Sequence, residues 1–140
     1  MSRAFTKERD DVPERPLAAR VEPHRITARG LETLRGELAA TSDDQRRALL
    51  QRRIEAAIPT GAPADRDVVD FGARVTVEGT PRGRQTFLIV GEDEIDVPAG
   101  LIGEGSPLAR ALLGARAGDK VIWHRPAGDL TLTIQAVEYD

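Results

Sequence analysis

Carboxylates are the first candidates for chemistry in this sequence. Asp43 and Asp44 stand side by side just after Ser42, and carboxylate oxygens suit a magnesium ion. The same stretch fits a helix start. Ser42-Asp43-Asp44-Gln45 reads as a capping box, with Ser42 bonding down and Gln45 reaching back, and two acids suit the positive end of the helix dipole. Capping accounts for the pair more simply than metal binding. Glu92, Asp93, Glu94 and Asp96 form a second acidic group, able to hold a cation or face a basic partner. They lack the glycine and terminal glutamate of an EF-hand loop and read as a solvated loop. Ser106 could act as a nucleophile with His124, yet no G-x-S-x-G surrounds it. Serine followed by proline is instead a strong helix start. His24 and His124 are isolated, and the chain has no cysteine, so these residues do not make a metal site.

The elements that carry these residues fall into four stretches. Residues 1–25 contain Pro13, Pro16 and Pro23 among mixed charges, without hydrophobic periodicity, and read as a flexible tail. Residues 26–58 read as a short antiparallel pair of helices. Leu31, Leu34 and Leu38 share one face of the first helix, with Thr27 as N-cap and Ile26 before it. Gly30 and Gly36 weaken that helix by about 1 kcal/mol each against alanine. Leu50, Ile54, Ala57 and Ile58 follow helical spacing in the second, and Pro59 stops it. Residues 59–70 are rich in Pro, Gly and Asp and read as a linker. Residues 71–140 read as a small antiparallel sheet carrying one short helix. Val75 and Val77 alternate with polar residues, Gly79 to Gly83 is a turn, and Thr86 to Val90 is a central strand. Gly91 to Gly105 is a long acidic loop with an extended piece around Leu101-Ile102. Ser106-Pro107 opens the helix, Leu108, Leu112 and Leu113 bury it, and Gly114 ends it. Lys120 to Arg125 is a strand and 126–129 a turn. In the last strand Leu130, Leu132, Ile134 and Ala136 point one way, and Thr131, Thr133 and Gln135 the other.

Bulk composition narrows the classes. A chain of 140 residues, 40% hydrophobic and 31% charged, fits one ordinary domain or two small ones. No run of 18 apolar residues exists to span a membrane, and the charged N-terminus is not a secretory signal. The absence of cysteine fits a reducing cytoplasm. Residues 1–25 and 26–58 each carry six basic and five acidic side chains, whereas residues 59–140 carry eight and thirteen. No segment is basic enough to bind nucleic acid alone through its phosphates.

Five blocks then follow in a telling order: Ile89 to Glu94, Ser106-Pro107-Leu108-Ala109-Arg110-Ala111-Leu112-Leu113-Gly114, Gly118-Asp119, Arg125 to Asp129, and Val137-Glu138-Tyr139. Together they resemble the C-terminal domain of the Gre transcript-cleavage factors. Ile26 to Leu34 resembles the opening of that family's N-terminal coiled coil, and Arg53 to Ile58 its return. The resemblance implies an FKBP-like fold for residues 71–140, bound at the rim of the secondary channel of RNA polymerase. It also implies a helical hairpin in the channel, whose tip acids help hold a magnesium ion while the polymerase cleaves backtracked RNA. Carried over, the polymerase contact falls on Ser106 and Pro107, with Gly105 and Arg110 beside them. Gly105 departs from the polar or acidic residue of some members. The hairpin is also short: a 14-residue helix reaches about 21 Å, against about 45 Å for some 30 residues. The tip motif, carboxylates three apart after Gly-Asp, is missing. Arg46, Arg47, Arg52 and Arg53 read as a solvated face in preference to a contact with polymerase or RNA.

The expectation is an α+β chain similar to the shortened, Rnk-type relatives: a short helical hairpin followed by an FKBP-like domain. Such a chain is a cytoplasmic, monomeric regulator of elongation on the bacterial RNA polymerase core, not an enzyme, and touches nucleic acid only indirectly. It needs no cofactor, and magnesium enters only through the polymerase. One alternative is a cleavage factor using Asp43 and Asp44. Another, from fold resemblance alone, is a peptidyl-prolyl isomerase. That activity needs an aromatic-lined pocket, and the chain's aromatics are Phe5, Phe71, Phe87, Trp123 and Tyr139.

Overall fold

A computed structural model describes residues 21–140. Most of the expected tail, residues 1–20, lies outside the described residues. The described residues are α+β with three α-helices, and they divide into two compact units. One contains Leu31–Ile58, the other Arg25–Gly30 and Pro59–Asp140.

The first unit is helical. It holds helix α1 (Ala28–Ala40) from Leu31 on, while the first turn of α1 and most of the short strand before it, β1 (His24–Ile26), fall in the second unit; helix α2 (Asp44–Ala56) follows a three-residue turn. Leu31, Leu34 and Leu50 are its buried side chains, as the apolar spacing predicts. The start of α2 differs from expectation by one residue. Asp43, not Ser42, is the N-cap: its carboxylate accepts from the backbone N–H groups of Gln45 (2.9 Å) and Arg46 (3.3 Å). A charged acceptor satisfies two orphan N–H groups at once and sits at the positive end of the helix. Arg47 closes the other side of the turn by donating to the carbonyls of Leu38 (3.0 Å) and Thr41 (3.2 Å), and Arg46 pairs with Glu37 at 3.0 Å. Of the four arginines of the expected basic side, Arg47 is therefore committed to the turn, whereas Arg46 makes an exposed ion pair. Helix α2 stops at Ala56, short of the expected Ile58. Ala57 already has extended backbone, and Ile58, the residue directly before Pro59, is disfavoured in the helical region. They form β2 (Ala57–Pro59).

The second unit is built on a five-stranded sheet. Its strands are β3 (Arg74–Thr80), β4 (Gly83–Val90), β5 (Leu101–Gly103), β6 (Lys120–Trp123) and β7 (Leu130–Glu138), in spatial order β5-β4-β3-β7-β6. Helix α3 (Pro107–Leu112) packs Leu108, Ala109 and Leu112 onto the apolar face made by Val75, Val77, Ile89, Leu132 and Ile134. Two expectations are corrected here. The sheet is mixed, because β5 pairs parallel to β4. The chain returns through two 3₁₀ turns, Glu92–Glu94 and Val97–Ala99, which bring it back pointing the same way. Alternation along β7 also breaks. Val77 pairs with Ile134 but Thr76 with Ala136, so Gln135 is the extra residue of a bulge. Beyond it Val137, not Ala136, packs against the core.

Residues 68–70, expected in the linker, are part of this unit. Val69 is buried, its N–H donates to Ala115 O and its carbonyl accepts from Gly114 N–H, both at 2.8 Å. Among the described residues no helix is long and apolar enough to cross a membrane.

Candidate functional site

The residues expected to meet a partner lie where β5 turns into α3. Ser106 N–H donates to Gly103 O at 3.0 Å, closing the turn, and Ser106 Oγ accepts from Ala109 N–H at 3.2 Å as the N-cap of α3. Pro107 occupies the first helical position, where its missing N–H costs nothing. It is exposed, as are Gly105 and Arg110, while Leu108 and Ala109 of the same helix are buried. One face of the helix thus fixes the loop and the other presents it. Gly105 has open space where a Cβ would stand and its φ lies outside the left-handed range. No backbone requirement explains the glycine.

The loop has an anchor that sequence spacing could not reveal. Glu104 receives a hydrogen bond from Arg25 at 2.5 Å, and the Arg25 guanidinium lies over the Phe71 ring at 4.8 Å. The Glu104 hydrogen bond, outweighing partial burial, holds the Arg25 pKa above the ordinary arginine value. The sequence places Arg25 at the end of a flexible tail. It lies instead in β1, fixed by partners 46 and 79 residues away in the chain. Gly91 packs so closely against the Arg25 carbonyl that a side chain there would collide with it.

Glu94 belongs to the same assembly and not to a solvated loop. Its carboxylate accepts from Thr27 N–H at 3.1 Å, from the Thr27 hydroxyl, and from Gly91 N–H at 3.2 Å. Thr27 in turn accepts from Gly30 N–H at 3.0 Å as the N-cap of α1. The start of α1 is therefore stitched into the β unit by one carboxylate.

The remaining candidates are dispersed. Asp43 is committed to capping and Asp44 is exposed beside it. His124 pairs with Asp129 at 3.0 Å, while the Ser106 hydroxyl is occupied at its own helix, so neither engages the other. Among the described residues no three His, Cys, Asp or Glu side chains are grouped to hold a metal. Of the described aromatics, Phe71 lies under Arg25, and the Tyr139 hydroxyl donates to Val68 O (2.5 Å) and accepts from Asp70 N–H (2.8 Å). Phe87 and Trp123 line an open groove.

The chain is 42% identical over 98 residues to transcription elongation factor GreB of Xanthomonas axonopodis pv. citri, covering 69% of this chain and 58% of that one. It is 44% identical over 71 residues to GreA of Halorhodospira halophila, covering 50% and 45%. The chain therefore spans about half the length of these relatives. Among solved structures it is similar to a GreA/GreB elongation factor of Nitrosomonas europaea (TM-score 0.47, 23% identity, 86% of this chain and 100% of that one). It is also similar to GreA factor homolog 1 of Thermus thermophilus (TM-score 0.46, 20% identity, 81% and 97%). Residues 63–139 match the family described as "Transcription elongation factor, GreA/GreB, C-term", and the chain belongs to that family.

Proposed function

We propose that this protein is a regulator of transcription elongation that docks on the bacterial RNA polymerase core at the rim of the secondary channel. In this reading the β unit is an FKBP-like anchor, α1 and α2 form a short hairpin probe, and the protein itself is not an enzyme. It works as a cytoplasmic monomer and meets nucleic acid only through the polymerase. The observation that carries the docking is the junction of the loop and α3: Pro107 and Arg110 are exposed on the helix, and the turn before it is held by Ser106 and backed by the Arg25–Glu104 pair. Helix length supports a role without transcript cleavage. Both helices have 13 residues, or about 20 Å at 1.5 Å per residue. The carboxylate of Asp43 already serves two backbone N–H groups, so the turn between the helices does not fit a magnesium site by itself.

The test is capture of core polymerase by the full chain. Ser106→Glu with Pro107→Ala weakens capture if the loop is the contact, and unchanged affinity would remove the loop from the interface. A stalled elongation complex decides the second half. Magnesium-dependent shortening of backtracked RNA that is abolished by Asp43→Ala with Asp44→Ala would make the chain a cleavage factor after all.

A further inference from the structure

Helix α3 is too short to cover the apolar face of the sheet. Six residues give about 9 Å of helix, whereas the eight residues of β4 run for about 26 Å. The helix covers part of that face, and a groove of about 550 Å³ stays open beside the first half of β4. That volume falls within the range of about 300–1,000 Å³ seen for ligand pockets. Its floor is Phe87 and Trp123, and its rim carries Arg82 and Gln85. One wall is the 3₁₀ turn of Val97 and Pro98.

The wall is built rather than loose. Ala99 N–H donates to Asp96 O (3.0 Å) and Gly100 N–H to Val97 O (2.9 Å). Gly100 takes a left-handed φ of 84° and approaches Thr86 too closely for a side chain. From there its carbonyl accepts from Leu88 N–H at 2.8 Å, pinning the turn to β4. This framework holds Val97 65% exposed at the mouth of the groove. A large aliphatic side chain fixed outward beside an aromatic floor is an arrangement that gains free energy when covered.

Charge selects what covers it. Residues 59–140 carry eight basic and thirteen acidic side chains, yet the charged residue lining this groove is Arg82. A second arginine, Arg125, lies over the Trp123 ring at 5.5 Å. The groove is thus an apolar slot with one charged lining residue, the cation Arg82, on an acidic unit, and Arg125 adjoins it only through Trp123. We infer that it binds an extended peptide segment of apolar residues flanked by carboxylates, as a second partner site separate from the Ser106-Pro107 loop. The apolar wall and the acidic surroundings disfavour single-stranded RNA, whose affinity depends on cations along the phosphates. The site does not rest on the polymerase reading, and a failed polymerase capture leaves it standing.

Trp123 is the sole tryptophan and forms part of the floor, so its emission reports occupancy directly. The full chain is titrated with a terminally blocked pentapeptide of leucine and proline flanked by aspartates. Parallel titrations use the same peptide flanked by lysines and a short oligouridylate. The aspartate peptide gives a saturable shift, and the lysine peptide binds at least about tenfold more weakly, as opposed charges at a contact require. Arg82→Glu reverses that preference, and Val97→Asp weakens binding of both peptides. Both substitutions are on exposed side chains, and the peptide comparison on the unaltered chain does not depend on either. Absence of a saturable shift, equal affinity for the two peptides, or tighter binding of the oligouridylate would each overturn the proposal.

Discussion

Two glycines of one helix should respond to alanine with opposite signs. Gly36 lies in the exposed middle of α1, with nothing within 4 Å of the position a Cβ would take. Gly36→Ala removes backbone entropy from the unfolded chain and stabilises the helix by about 0.5–1 kcal/mol. Gly30 gains the same propensity, but its Cβ would run into the side chain of Glu94. Glu94 cannot swing aside without releasing Thr27 and Gly91. Hydrogen bonds to a charged group contribute about 1.5–3 kcal/mol each in favourable cases. Three that are partly exposed and mutually dependent contribute less than their sum, about 2–3 kcal/mol in total. Subtracting the propensity gain leaves Gly30→Ala destabilising by about 1–2 kcal/mol. The assay is urea unfolding followed by Trp123 emission, which reads the β unit, and by far-ultraviolet circular dichroism, which reads the helices. Gly30→Ala lowers the midpoint of the Trp123 transition, while Gly36→Ala leaves it in place and raises helix stability. If Gly30→Ala is neutral or stabilising by the Trp123 signal, the Glu94 clamp does not hold the start of α1 in the β unit.

Further outcomes follow from single contacts. Asp43→Ala removes the cap of α2 and costs about 1 kcal/mol, seen as lost helicity, whereas Ser42→Ala is close to neutral; equal losses would return the cap to Ser42. Gly105→Asp, with open space around the Cβ, changes unfolding free energy by less than about 0.5 kcal/mol, so a marked loss would mean the loop has a backbone constraint. Tyr139→Phe leaves Val68 O and Asp70 N–H without their partner and costs about 1–2 kcal/mol by denaturant midpoint; an unchanged midpoint would show that water replaces the hydroxyl. Burial, aided by the nearby Asp70 and Asp65 charges and opposed by the Asp70 N–H bond, raises the phenol of Tyr139 above its ordinary 10.0. The native state then keeps a proton that the unfolded chain releases, so this contribution is whole below pH 10.0 and is lost as pH climbs through the raised value. Phenolate absorbance of this sole tyrosine should titrate at higher pH in the folded chain than in urea.

Local chemistry made several features legible in the sequence. Serine before proline marked the start of α3, alternation marked β3, apolar spacing placed Leu31, Leu34 and Leu50 inward, and five short blocks identified the family. The first three depend on residues a few positions apart, where chain geometry alone fixes the relation, whereas the family rests on the resemblance of blocks spread over residues 89–139. Ser42 and Asp43 are harder to separate, since both are good caps and one residue of register decides between them. The bulge at Gln135, which turns Val137 inward, depends on how β7 meets β3 and has no mark in its own strand. The parallel pairing of β5 likewise depends on where two 3₁₀ turns return the chain. The charged anchors are beyond the reach of sequence altogether. Arg25 meets Glu104 across 79 residues, and Thr27 meets Glu94 across 67. Nothing in the spacing of such pairs distinguishes them from ordinary surface charges. Only the tertiary structure brings them together, because the sheet carries the loops on either side of β5 to the strand that enters α1.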